Sequence, residues 1–125
     1  MSASFTLLAS RGAISLHPGG EFHFDAERHR GALLVSPGGI YDWTTATAGL
    51  DEAGLLTFLD AEQASRCDFL LVGTGPKPAL LAAGFREEVE RRGLGLEAMD
   101  TAAACRTYNI LLAENRQFVA ALLPL

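Results

Sequence analysis

The second half of the chain alternates short apolar runs with amphipathic stretches, and this alternation limits its fold more than any other feature. Residues 68–72 (Asp-Phe-Leu-Leu-Val) form a short continuous apolar run, the pattern of a strand covered on both faces. After Gly73-Thr74-Gly75-Pro76-Lys77-Pro78 the spacing predicts a helix over 79–92, because Leu81, Phe85 and Val89 recur every four residues. Glu87 with Arg91 and Glu88 with Arg92 supply i,i+4 pairs on its wet side, and Gly93 ends it. A strand over 94–99, a helix over 101–114 and a strand over 117–123 follow. Strands and helices joined by such short loops favour a sheet with helices packed on it.

The first half reads differently. Residues 13–16 and 21–24 predict a hairpin across His17-Pro18-Gly19-Gly20, with Phe22 and Phe24 on one face of the second arm and Glu21, His23 and Asp25 on the other. A buried strand over 32–36 closes in Pro37-Gly38-Gly39, and 40–43 is a further strand or an extended corner. Asp51 caps a helix running to about Gln63, with Leu55, Leu56 and Leu59 inside. The expectation is an α/β single domain over 13–125, built on a mixed central β-sheet flanked by helices, with an N-terminal hairpin. Residues 1–12, small, polar and aperiodic, are expected to be a flexible tail.

Composition excludes several functions. With 49% apolar and 20% charged residues the chain is globular rather than disordered. Ten basic against fifteen acidic side chains, a net charge of −5, lack the surplus of Lys and Arg that a duplex nucleic-acid binder needs to replace counterions, and they disfavour anionic lipid, so no nucleic-acid partner is expected. No apolar run reaches the roughly 18 residues that cross a bilayer, so an integral membrane protein is not expected. No basic segment precedes Phe5-Thr6-Leu7-Leu8, so no signal peptide is read. Cys67 and Cys105 are too few for a disulfide framework and lack metal-ligand spacing, and His17, His23 and His29 read as solvated sheet-edge residues. A reduced, cytoplasmic protein without metal or cofactor is expected.

Two segments carry the polar groups of interest. Gly73-Thr74-Gly75 stands at the carboxyl end of a buried strand, where loop amides and helix N-termini receive ligands in open α/β sheets. Against an anion site, Pro78 occupies the third glycine position of a dinucleotide fingerprint, and Pro76 and Pro78 remove amide donors. A tight strand-to-helix turn is the competing reading. In the 101–114 helix, a wheel places Ala104, Tyr108, Leu111 and Leu112 on the sheet side, Cys105 and Asn109 on its flank, and Arg106 and Ile110 outward. The helix N-terminus and Arg106 would lower the Cys105 thiol pKa, whereas an unpaired cysteine is usually a small core hydrophobe. Asp100 and Thr101 can both serve as N-cap. Gly73, Thr74, Gly75, Asp100, Thr101, Cys105, Tyr108 and Asn109 therefore form the candidate pocket, and Arg106 with Ile110 the candidate partner surface. No complete catalytic constellation is legible.

Leu71-Val72-Gly73-Thr74-Gly75, Met99-Asp100-Thr101, then Ala104-Cys105-Arg106-Thr107-Tyr108-Asn109-Ile110-Leu111 and Glu114 resemble the signature of a small domain family of unknown function. Its mitochondrial relative is the NADH dehydrogenase 1 alpha subcomplex assembly factor 3. The resemblance runs from about Ile14 to Leu123. It implies a three-layer α/β fold around a mixed sheet and a protein partner in membrane-complex assembly, and brings no established catalytic residue. Two positions depart from the family pattern: Ala102, often Gly, and Ala79-Leu80-Leu81, where prolines are common. The leading expectation is a non-catalytic interaction or assembly factor. The alternative is a small-ligand protein, for an anion or nucleotide, or a weak enzyme using the Gly-Thr-Gly turn and the 101–114 helix.

Overall fold

The computed structural model describes residues 5–43, 46, 49–61 and 66–125. Nine strands and three helices occur among them. The strands are β1 (Phe5–Ala9), β2 (Ser15–His17), β3 (Glu21–Phe24), β4 (Glu27–His29), β5 (Leu33–Ser36), β6 (Gly39–Trp43), β7 (Phe69–Gly73), β8 (Gly95–Met99) and β9 (Phe118–Leu122). The helices are α1 (Glu52–Ala61), α2 (Ala83–Arg91) and α3 (Thr101–Ala113).

Six strands form one mixed sheet in the order β1-β6-β5-β9-β7-β8. The β1, β6, β5 and β9 neighbours pair antiparallel, whereas β9, β7 and β8 run parallel. Alternation along the strands sorts the core into two layers. Leu34, Trp43, Leu70, Val72, Val119 and Ala121 face α1 and α2, where Leu55, Phe58, Leu59, Phe85 and Val89 cover them. Leu33, Val35, Ile40, Leu71, Phe118, Ala120 and Leu122 face α3 and the small sheet β2-β3-β4, which contributes Phe22 and Phe24. The result is the expected three-layer α/β arrangement around a mixed sheet. All five residues of β9 are buried, as befits a strand with a partner on both edges and a layer on both faces.

Several elements differ from expectation. Residues 5–9, assigned to a flexible tail, form an edge strand of the main sheet, and Phe5 packs edge-on against Phe58 at 5.1 Å. A register shift between Leu7 and Ala9 breaks the period-2 alternation, which is why the segment looked aperiodic. The hairpin gains a third strand, β4, too short and charged to stand out. Helix α2 begins at Ala83 rather than 79, with Ala82 extended and no side-chain cap. An extended chain advances roughly 3.3 Å per residue against 1.5 Å in a helix. Residues 74–82 thus carry the chain from β7 to where Phe85 and Val89 reach the core, without a helical start at 79. In α1 the buried stripe is Leu55, Phe58 and Leu59, and the end of that predicted helix at 62–63 lies outside the described residues. Arg91 pairs with Glu88 at 2.8 Å rather than with Glu87, while Arg92 binds Glu88 and clamps both carboxylate oxygens of Asp60 on α1.

Candidate functional site

Because β7, β8 and β9 run parallel, their carboxyl ends meet at one edge, and Gly73-Thr74-Gly75, Asp100-Thr101 and Leu123 lie there together. Their polar groups bind one another. The Thr101 hydroxyl, on a residue with no solvent exposure, donates to the Leu123 carbonyl at 2.7 Å and accepts from the Gly75 amide at 2.8 Å. The Thr101 amide donates to the Gly75 carbonyl at 2.8 Å, the Thr74 amide to the Met99 carbonyl at 2.8 Å, and the Leu123 amide to the Gly73 carbonyl at 2.9 Å. The Thr74 hydroxyl reaches the Lys77 carbonyl at 2.7 Å. Asp100 is the N-cap of α3, accepting from the Ala103 amide at 2.9 Å. The amides that an anion would need are thus committed to cross-tying three strand ends.

Gly73 lets α3 lie directly on β7. A Cβ there would stand 3.0 Å from the Thr101 hydroxyl oxygen and 3.1 Å from the Ala104 Cβ and the Thr101 Cα. Gly75 adopts φ +104°, open to glycine and strained for other residues, which turns its amide back toward Thr101.

The rest of the candidate pocket lies elsewhere. Tyr108 is fully buried; its hydroxyl donates to the Gly12 carbonyl at 2.7 Å, and burial pushes its pKa up to about 12 against the pull of Arg11. Asn109 clips the main chain at Ile14, accepting from its amide at 3.0 Å and donating to its carbonyl at 2.7 Å. Cys105 is 4% exposed, and burial pushes its thiol up to about 11, overriding Arg106. The thiol is therefore neutral at physiological pH. A groove of about 270 Å³ between β2 and α3 brings Cys105 and Asn109 together with Arg106, Ile14 and Ser15, without any residue of the Gly-Thr-Gly turn. Arg106 is exposed and Ile110 is 60% exposed, both outward as the wheel required.

Thr74 alone reaches a second cleft, one that periodicity did not reveal. It measures about 280 Å³ and is lined by Leu50, Glu52, Val72, Leu80, Leu81 and Leu123, among others. No signal in the sequence marked it; Leu80, expected within a helix start, is instead 99% exposed at its rim. The histidines are also better partnered than sheet-edge residues need be. His17 stacks on His23 with centroids 3.6 Å apart, Ser15 bonds His17 at 2.9 Å, and Glu21 bonds His23 at 2.8 Å. Among the described residues no group of three potential metal ligands converges, and no helix is long and apolar enough to cross a membrane.

A mixed six-stranded sheet with two helices on one face, and a helix plus a small sheet on the other, defines the class of protein by fold. That arrangement is shared with a Bordetella parapertussis protein (34% identity, 98% of each chain, TM-score 0.74). It is also shared with a Bordetella pertussis protein described as a Mth938-like domain (29% identity, 99% of this chain and 92% of that one, TM-score 0.72). The chain belongs to the family of proteins of unknown function DUF498/DUF598, which matches residues 14–123. An uncharacterized Rhodobacter capsulatus protein is 40% identical over 106 residues, covering 85% of this chain and 79% of that one. The NADH dehydrogenase [ubiquinone] 1 alpha subcomplex assembly factor 3 of Danio rerio is 31% identical over 121 residues, covering 93% of this chain and 67% of the factor. Against the human factor, at 29% identity, the chain spans 55% of the length.

Proposed function

We propose that the protein is a non-catalytic interaction module that takes part in assembling a membrane-bound respiratory complex. The observation that carries this reading is the likeness, over 93% of the chain, to a relative named as a complex I assembly factor. The spent hydrogen bonds at the carboxyl edge agree with it, since they serve as a brace rather than a receptor. Arg106 and Ile110, exposed on α3, are the proposed contact with a protein partner, in the cytoplasm and without nucleic acid. The test is tagged chain at native expression, extracted in mild detergent. Partly assembled dehydrogenase subunits should co-purify, and Ile110→Lys, which places a cation and a good helix former in the last turn of α3, should release them while the chain stays folded. A chain that elutes alone at every expression level, with normal complex assembly in the deletion strain, would refute the proposal.

The cleft beside Thr74 favours a second reading, a small-ligand protein. Its ligand would be largely apolar, because leucine, valine and alanine side chains line most of that cleft. Thermal-shift screening with apolar and anionic compounds decides it, as a ligand bound only by the folded state must raise the melting temperature.

A further inference from the structure

The hydrogen-bond register assigns each group of β8 to one side of the strand. Gly95 donates to the Asp68 carbonyl at 3.1 Å, and the Met99 carbonyl accepts from Thr74 at 2.8 Å. In a parallel ladder, alternate residues bond to the same neighbour. With Gly95, Glu97 and Met99 opposite Phe69, Leu71 and Gly73, residues 95, 97 and 99 bond inward to β7. The N–H and C=O groups of Leu96 and Ala98 therefore point away from the sheet, and β8 is its last strand.

The opposite edge, β1, is blunted by its register shift, whereas β8 keeps five consecutive pairs with β7 and carries neither proline nor bulge. Its sequence, Gly-Leu-Glu-Ala-Met, exposes Gly95, Glu97 and Ala98. Among the described residues, no ion pair engages Glu97.

We propose that β8 accepts an extended segment of another protein as a seventh, antiparallel strand, with a Lys or Arg of that segment opposite Glu97. Charge decides the occupant. An incoming strand that engages both Leu96 and Ala98 places its central residue across from Glu97 in a non-hydrogen-bonded pair, where side chains approach most closely. A second copy of this chain, paired about a two-fold axis in that register, would set Glu97 against Glu97. A basic residue at that place turns the repulsion into attraction, in keeping with the chain's net charge of −5. The inference rests on the ladder and not on the assembly role, since a partner held by α3 alone would leave this edge bare.

The test uses the full ¹⁵N-labelled chain and two synthetic strand-length peptides of alternating Thr and Val, one with Lys at its centre and one with Glu. In the free chain the Leu96 and Ala98 amides should exchange with deuterium rapidly, and Glu97 and Met99 slowly. The Lys peptide should protect Leu96 and Ala98 and bind about fivefold more tightly than the Glu peptide. Ala98→Pro removes an outward N–H without touching a bond to β7 and should abolish protection. Should that variant not fold, Glu97→Lys should reverse the preference toward the Glu peptide. The proposal is overturned by Leu96 and Ala98 amides already protected in dilute free protein. It is equally overturned by protection that grows with protein concentration alone, the mark of a second copy, by equal binding of the two peptides, or by no reversal in Glu97→Lys.

Discussion

Replacing Thr101 with Val keeps the branched shape and removes one oxygen that serves two strand ends. The Gly75 amide would lose its acceptor and the Leu123 carbonyl the hydroxyl donor 2.7 Å away, at a residue with no solvent exposure. A buried polar group left without its partner costs about 1–3 kcal/mol, so the pair should cost about 2–6 kcal/mol, reduced to about 2–5 by the methyl group that replaces the hydroxyl. Unfolding entropy of about 2.1 cal/mol/K per residue over 125 residues converts 1 kcal/mol to about 4 °C. The melting temperature should therefore fall by about 8–20 °C, with an unchanged urea m-value. Thr101→Ser preserves both bonds and should lose only about 1 kcal/mol through its missing methyl. Circular dichroism in urea and on heating measures both variants. A Thr101→Val protein melting within about 2 °C of the parent would refute the view that this hydroxyl ties the carboxyl edge together.

Other outcomes follow from the same contacts. Gly73→Ala should cost about 1–3 kcal/mol, because the new Cβ meets the Thr101 main chain as well as two side chains and α3 must lift from β7; urea unfolding reads the loss. Asn109→Leu fills a similar volume but frees the Ile14 amide and carbonyl, so exchange at Ile14 should accelerate while the β7 and β9 amides stay protected. Stability should fall as pH rises above 9. The unfolded chain releases the Cys105 and Tyr108 protons near their ordinary values of 9.0 and 10.0, whereas the folded chain holds them to about 11 and 12. Each group then removes up to about 1.4 kcal/mol per pH unit between its two values and contributes nothing below the lower one. Tyr108→Phe should flatten the upper part of that curve, and a curve unchanged by it would contradict the assignment.

The second half of the fold was legible because each strand and helix there carries its own periodicity and punctuation. Asp100 sits where a helix cap belongs, and Ala104, Cys105 and Tyr108 are buried on the inner side of α3. What escaped was set by tertiary partners. β1 exists because β6 pairs with it, and its register shift erases the local alternation. The later start of α2, at Ala83 without a side-chain cap, carries no local signal that a sequence window could read. The candidate pocket failed as a unit for a similar reason. Sequence placed Thr101 and the Gly-Thr-Gly turn at the same edge correctly, but only coordinates show that their donors and acceptors already satisfy one another. Asn109, placed on the helix flank, faces Ile14, a partner 95 residues away that spacing could not name.

The position of β9 bears on synthesis. Within the main sheet, β1-β6-β5 and β7-β8 are joined only through Phe118–Leu122, which the ribosome delivers after both groups are made. Until then two half-sheets wait with raw borders at β5 and β7, each rich in leucine and valine and apt to find a wrong strand. A nascent chain stalled before residue 118 should therefore depend on chaperones more heavily than its modest length suggests. Arrival of β9 closes both borders at once, so the sheet should be completed in a single step.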